Sequence, residues 1–124
     1  MPSERFTKAR RVRHRDEFQR VFDFSQRAKG RYFTVLMAPN DGEISRLGIV
    51  ASRKLGDAVR RNRAKRLIRE VFRRSDLLPG KSLDVVVIPR RELFDATYSS
   101  LESDFRATVR RCAARLFAQS DAAR

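Results

Sequence analysis

The sequence has one cysteine and one histidine in 124 residues, and both shortages exclude kinds of functional site. With no second cysteine to join Cys112, the chain can form neither a disulfide framework nor a zinc-binding thiolate cluster. This cysteine usage is typical of a reducing compartment, so we expect a cytoplasmic protein. His14 lies in a segment without a regular pattern and has no second base nearby, so no serine or cysteine nucleophile can be paired with it.

Long apolar runs are also missing, and acidic residues are few. No segment approaches the ~20 apolar residues that span a bilayer, and the basic N-terminal residues lack the apolar centre of a signal peptide. The carboxylates are scattered: Asp16 and Glu17 are adjacent, and Glu102 and Asp104 are two residues apart on a predicted helix. Neither pair has the spacing to face one metal ion, so a nuclease active by itself is disfavoured.

The chain has basic residues in excess. Lys and Arg number 29 against 15 Asp and Glu, which gives a formal charge of +14 and a pI near 11.4. So much positive charge repels itself until a polyanion binds, and arginine, the commoner of the two, grips phosphate with a planar fork of donors. With 41% hydrophobic residues there is material for one core. We therefore expect a single RNA-binding domain, residues 1–124, with flexible ends at 1–14 and 119–124.

Apolar periodicity predicts three helices and three strands. In chain order they are a helix at 16–26, strands at 32–38 and 45–52, a helix at 58–74, a strand at 83–88 and a helix at 96–117. The turn formers at 39–42 predict an antiparallel hairpin of the first two strands. The strand, helix and strand that follow predict parallel pairing. The fold class is therefore α+β, a two-layer sandwich of helices on a small mixed sheet.

The helix at 58–74 combines an apolar stripe with an unusual charge pattern. Asn62, Arg66, Arg69 and Arg73 are predicted opposite the stripe, flanked by Arg63 and Lys65. Arg60, Arg61 and Arg63 crowd the first turns, where the helix dipole disfavours cations. A solvated surface would mix in Glu, yet only Glu70 is present. Phosphates would pair with the guanidinium groups, so we interpret this helix as a nucleic-acid-binding element rather than a membrane helix.

The aromatic residues leave two interpretations open. Helix and strand spacing accounts for Phe33, Phe72 and Phe105 as core, as it does for Cys112. Phe18, Phe22 and Tyr32 either pack in the core as well or line a groove on which single-stranded bases stack, at ~1 to 3 kcal/mol per base.

One family matches these features. The run 58–70 (AVRRNRAKRLIRE) resembles the arginine-rich "RNR" signature of the bacterial ribonuclease P protein subunit. The segments 52–56 (SRKLG), 16–22 (DEFQRVF) and 84–90 (DVVVIPR) also resemble that family, so the likeness covers nearly the whole chain. It implies an α/β sandwich of the kind shared with a ribosomal-protein domain, with the order α-β-β-(β)-α-β-α. It also implies a left-handed crossover between the third and fourth strands, against the general rule.

The resemblance further implies a non-catalytic protein that assists an RNA enzyme, with precursor tRNA as substrate and Mg²⁺ held mainly by the RNA subunit. The residues expected to bind the RNA subunit are Arg60, Arg61, Asn62, Arg63, Lys65, Arg66, Arg69 and Arg73. The residues expected to bind the 5′ leader of precursor tRNA are Phe18, Phe22, Tyr32, Thr34, Leu36, Arg53 and Lys54. The alternative is a ribosomal or other structural RNA-binding protein on the same scaffold, which would need no leader groove.

Overall fold

The computed structural model describes residues 11–75 and 82–122. Their helices and strands, in chain order, are α1 (Arg15–Phe24), β1 (Gln26–Lys29), β2 (Phe33–Pro39), β3 (Arg46–Ile49), α2 (Ala58–Arg74), β4 (Leu83–Pro89) and α3 (Tyr98–Ala122). Short 3-10 helices at Arg53–Leu55 and Arg91–Asp95 follow β3 and β4. None of the helices in this part of the chain is long and apolar enough to cross a membrane.

The four strands form one mixed sheet in the order β1-β2-β4-β3. β3 and β4 pair in parallel across α2, as predicted. The predicted hairpin of β2 and β3 is wrong, because β2 pairs antiparallel with β1 and β4. β2 and β4 are the two seven-residue strands and are buried on both faces, so they take the centre and β3 reaches the sheet only through β4.

Helices lie on both faces of this sheet. Phe33, Val35 and Val87 pack with α2 and α3 in the main core, whereas Leu36 and Val86 face Val21 of α1. The predicted α+β class is confirmed, and α1 adds a smaller layer on the second face. The left-handedness of the crossover stays an expectation.

The last helix buries Leu101, Phe105, Thr108, Cys112 and Leu116, so the prediction that Phe105 and Cys112 are core residues is confirmed. Burial raises the pKa of the Cys112 thiol to about 11, as expected of a core cysteine.

The segment before α1 is ordered by the edge of the sheet. The NH group of Val12 donates to the carbonyl of Leu47 in β3 at 2.8 Å, and Val12 is buried. Arg11 and Val12 therefore join the sheet, and the flexibility of residues 1–14 stays a prediction. α3 extends past its predicted end to Ala122, so residues 119–122 are helical. The rest of the predicted flexible ends, 1–10 and 123–124, lies outside the described residues.

Sequence patterns miss β1 entirely. Its residues, QRAK, carry one apolar side chain, and Gln26 falls at the end of the predicted first helix. β1 is an edge strand that exists because β2 offers it backbone partners, so its own sequence carries little signal.

Candidate nucleic-acid interface

The backbone of Gly56 lies close to the Arg60 side chain in the first turn of α2. Gly56 has φ 132°, a conformation that side chains disfavour, and a Cβ there would lie 2.8 Å from Cδ of Arg60. Asp57 then caps the helix, because its Oδ1 accepts the NH group of Arg60 at 3.0 Å. The bounds of the helix agree with the prediction. With Asp57 as the cap, Arg60, Arg61 and Asn62 lie in the first turns of the helix.

The polar residues of α2 form two groups. The outer group is exposed and comprises Arg60, Asn62, Arg63 and Arg66. The inner flank is half-buried and comprises Arg61, Lys65, Arg69 and Arg73. Since Arg69 and Arg73 were expected on the open face with Asn62 and Arg66, that part of the prediction is wrong. Each step of four residues turns a helix by only about 40°, so the inner flank follows the margin of the buried stripe.

Positive charge is concentrated on the inner flank. Burial lowers the pKa of Arg69 below its ordinary value, and the nearby charge of Arg11 lowers it further. The Nε atom of Arg61 is buried and has no hydrogen-bond partner among the described residues. Repelling guanidinium groups and an unused buried donor both favour an anion at this flank.

Arg60 of the outer group, Arg73 of the inner flank and the neighbouring Arg74 contact other side chains of the protein. Arg73 donates to Glu70 at 2.6 Å, and Arg74 donates to the same carboxylate at 2.7 Å. These hydrogen bonds, the one from Arg73 first, lower the pKa of Glu70. The guanidinium of Arg60 lies over the ring of Phe94 at 4.7 Å. Arg63 and Arg66 are therefore the more accessible cations of the outer group.

The second face of the sheet is only partly covered by α1, because Phe18, Val50 and Ile88 remain half-buried there. The helix starts over β3, where Phe18 covers Gly48, and then buries Val21 against β2 and β4. It thus crosses the strands and leaves part of the sheet open along one side. The residues at this opening, which we call the α1 groove, are Phe18, Phe22, Thr34, Val50 and Ile88.

Strand register explains the floor of the α1 groove. Thr34 pairs with Ile88 of β4 and with Lys29 of β1. Val50 continues from β3 beside Ile88, and its NH group donates to the carbonyl of Val87 at 3.0 Å. Val50 and Ile88 are half-buried. Sequence reasoning missed both, because only the register shows that they share a face with Thr34.

The structure separates the residues predicted for the leader. Phe22 is 42% exposed and Phe18 is half-buried, so both border the α1 groove. Arg53 and Lys54 are exposed on the 3-10 helix that leads from the β3 side of the sheet to α2. Thr34 is on the floor with 9% exposure.

Two predicted groove residues need correction. Leu36 is buried beneath α1, so it supports the groove without lining it. Tyr32 is buried in the main core on the other side, beside Phe33. The cause is local, since Asp104 of α3 accepts the NH group of Tyr32 at 2.9 Å and β2 begins only at the next residue.

A buried ion-pair network holds α1 in position. Asp84 is fully buried and accepts from Arg46 at 2.8 and 2.7 Å and from Asn40 at 2.9 Å. Arg46 also binds Glu17 of α1. The hydrogen bond to Asp84 raises the pKa of Arg46 in spite of desolvation. No periodicity in the sequence signals this network, which joins residues far apart along the chain.

Glu17 is strongly perturbed by its place in the network. Partial burial favours its neutral form, but hydrogen bonds from the NH groups of His14 and Arg13 and from the Arg46 guanidinium outweigh that effect. Together they lower the pKa of Glu17 to about 2. The carboxylate is therefore an anchor for the start of α1.

Comparison with known proteins decides the family. The family model described as Ribonuclease P matches residues 6–113 of the chain. The chain belongs to the ribonuclease P protein family. The ribonuclease P protein component of Thermotoga petrophila is 45% identical over 91 residues, covering 73% of this chain and 78% of that protein. That of Halalkalibacterium halodurans is 36% identical over 96 residues, covering 77% and 81%.

Solved structures of ribonuclease P proteins have the same fold. The protein from Thermotoga maritima superposes with a TM-score of 0.73 at 38% identity, covering 82% of this chain and 96% of that one. The protein from Staphylococcus aureus gives a TM-score of 0.72 at 32% identity, covering 83% and 94%. The resemblance inferred from the RNR run is therefore confirmed, and the alternative of a ribosomal or other structural RNA-binding protein gains no support.

Membership in the ribonuclease P family explains the chemistry of the interface. The family's role is in the processing of tRNA 5′ ends, and such a component has an RNA partner. A surface of guanidinium groups beside a groove with exposed aromatic carbon is suited to binding phosphates and unpaired bases rather than to proton transfer.

Proposed function

We propose that the chain binds the catalytic RNA subunit of ribonuclease P through α2 and the 5′ leader of precursor tRNA through the α1 groove. The holoenzyme then removes the leader by hydrolysing one phosphodiester bond, and the RNA subunit carries the chemistry. The observation that carries this proposal is the pairing of an inner flank rich in uncompensated charge, at Arg61 and Arg69, with an open aromatic groove in a member of this family.

The α2 surface supplies affinity by neutralising phosphates. The RNA subunit and its tRNA substrate are both polyanions, and cations placed between them reduce their repulsion and release counterions. Arg63 and Arg66 point into solvent, where a phosphate backbone has access. Arg61 and Arg69 are held at the margin of the fold, so they lose less freedom when they bind.

The α1 groove fits a single strand better than a duplex. Its floor crosses β2, β4 and the end of β3, about 10 Å at ~4.8 Å per spacing, and is apolar at Val50 and Ile88. Phe22 offers a ring on which a base can stack, and Lys29, registered with Thr34, supplies charge on the same face of the sheet. Mature tRNA lacks the leader, so the groove favours substrate over product.

Mg²⁺ has no suitable set of ligands in the described part of the chain. No group of three or more His, Cys, Asp or Glu side chains comes together there. The buried carboxylate of Asp84 is already bound by Arg46 and Asn40, and that of Asp104 by the NH groups of Arg31 and Tyr32. We therefore propose that the RNA subunit holds the ions, in the reducing cytoplasm that the lone Cys112 suggests.

Reconstitution tests this function. The protein is added to a ribonuclease P RNA subunit at low Mg²⁺, and cleavage and affinity are measured for precursor and mature tRNA. We expect cleavage at the 5′ end to depend on both subunits, with tighter binding of precursor. Cleavage by the protein alone, or equal stimulation by an unrelated basic protein, would overturn the proposal.

A further inference from the structure

The open edge of β1 carries a second basic surface. β1 is the first strand of the sheet, and Gly30, just beyond it, donates its NH group to Phe33, which places the carbonyls of Arg27 and Lys29 on the outer side. Two arginines of α3 reach these carbonyls. Arg115 Nη1 donates to Arg27 at 2.5 Å, and Arg111 Nη2 donates to Lys29 at 2.8 Å.

This geometry fixes the positions of four exposed cations, Arg27, Lys29, Arg111 and Arg115, which we call the β1-edge surface. Arg27 and Lys29 are registered with Leu36 and Thr34, so their side chains lie on the face of the α1 groove. Arg111 and Arg115 come from the helix on the opposite face. The surface therefore wraps around the edge of the sheet and begins where the groove floor ends.

Asp104, on the same side of α3, does little to neutralise the β1-edge surface. Asp104 lies seven residues before Arg111, about the same angle around the helix, but its carboxylate accepts the NH groups of Arg31 and Tyr32 at 3.0 and 2.9 Å. The bound guanidinium groups also block the strand edge, so pairing with another chain's strand is disfavoured.

We infer that the β1-edge surface binds phosphates of leader nucleotides that lie upstream of those in the α1 groove. This inference rests on the proposed function. The groove ends near α2 on one side, where the RNA subunit is proposed to bind, and at Lys29 on the other. A leader longer than the groove leaves past Lys29 and meets Arg27, Arg111 and Arg115. The remaining donors of Arg111 and Arg115 are already oriented by the hydrogen bonds of these two side chains to β1.

Leader length is the variable that tests the inference. Reconstituted holoenzyme is titrated with precursors whose leaders have about 4 or about 12 nucleotides, within the range that one single-strand-binding domain covers. For Arg115→Gln and Arg111→Gln, we expect affinity for the long leader to fall several-fold and its salt slope to fall by about 1 per variant, with the short leader unchanged. Arg110→Gln is the matched control, since Arg110 is exposed elsewhere on α3.

The alternative role of Arg111 and Arg115 is purely structural, namely to donate hydrogen bonds to the free carbonyls at the edge of β1. Arg27→Gln separates the two roles, because only the backbone carbonyl of Arg27 takes part in these hydrogen bonds. The melting temperature of this variant should therefore be unchanged. We expect it to reproduce the loss for the long leader. An equal loss for both leaders would assign the surface to the tRNA body or the RNA subunit, and no loss in any variant would leave only a structural role. Either result overturns the inference. A wild-type holoenzyme without preference for precursor would overturn the proposed function itself, before any variant is compared.

Discussion

The ring of Phe18 lies directly over Gly48, so closely that a Cβ at Gly48 would come 2.7 Å from Cε1 and 2.9 Å from Cζ. The contact joins α1 to the edge strand β3 and sets how deep the helix sits on the sheet. Because the α1 groove is the space that this helix leaves uncovered, its width depends on a single missing side chain.

Replacing Gly48 by alanine should therefore push α1 away from the sheet. We expect Gly48→Ala to reduce the free energy of unfolding by about 1 to 3 kcal/mol and to weaken leader binding, with affinity for the RNA subunit retained. Denaturant unfolding and titration with precursor tRNA measure the two effects. Gly42→Ala is the matched control in an exposed turn, where a Cβ meets only Asn40 Oδ1 at 3.3 Å. A Gly48→Ala protein as stable as the control would contradict this account of the helix position.

Removing one cation from α2 should weaken RNA binding without loss of stability. We expect Arg66→Ala and Arg69→Ala each to lower affinity for the RNA subunit and to reduce the salt slope by up to ~1. Arg69→Ala also removes repulsion with Arg11, so its melting temperature should not fall. Arg110→Ala supplies a control with the same change of charge. A large loss of stability with unchanged binding would show that these arginines are structural.

The exposed ring of Phe22 should contribute to the preference for precursor tRNA over mature tRNA. Phe22 is 42% exposed, so Phe22→Ala should reduce the preference for precursor over mature tRNA by ~1 to 3 kcal/mol and leave folding nearly unchanged. Ile44→Ala serves as control, because Ile44 is a similarly exposed apolar residue at 44%, in the segment between β2 and β3. Equal losses for precursor and mature tRNA would place the contact of Phe22 outside the leader.

The Glu17 anchor should give a defined dependence of stability on pH. Its pKa is lowered from 4.5 to about 2 in the folded chain, so its stabilising effect is complete above pH 4.5 and is lost as pH falls towards 2. We expect the stability difference between wild type and Glu17→Gln to shrink across this window. Urea unfolding at a series of pH values measures it, and a difference that stayed constant from pH 5 to pH 2 would contradict the ion-pair network.

Features of the fold that are encoded within one segment of the sequence were predictable, and those created by contacts between segments were not. α2 was predictable to the residue, because Asp57 caps it and its apolar stripe is regular over the whole helix. β1 was not, because its own residues carry little signal, and the pairing of β2 with β4 was not, because it joins residues far apart in the chain. The charge of α2 was evident in the sequence, but the half-burial of Arg69 and its proximity to Arg11 both arise only in the folded chain.

Some residues of the α1 groove could likewise be recognised from the sequence, and others only from the strand register. Phe18 and Phe22 lie on α1 and are at least partly exposed, whereas Tyr32 was assigned to the wrong face because its strand begins one residue later than predicted. Val50 and Ile88 became recognisable only from the register of β2, β4 and β3. The network of Glu17, Arg46 and Asp84 has no local pattern at all.

The central claim is that the α1 groove holds the leader, and a photoreactive amino acid in place of Phe22 tests it most directly. The reconstituted holoenzyme is irradiated with precursor tRNA, and the crosslinked nucleotides are mapped. We predict crosslinks to the 5′ leader, which disappear when mature tRNA replaces precursor. Crosslinks that fall on the RNA subunit or the tRNA body, and that persist with mature tRNA, would contradict the account.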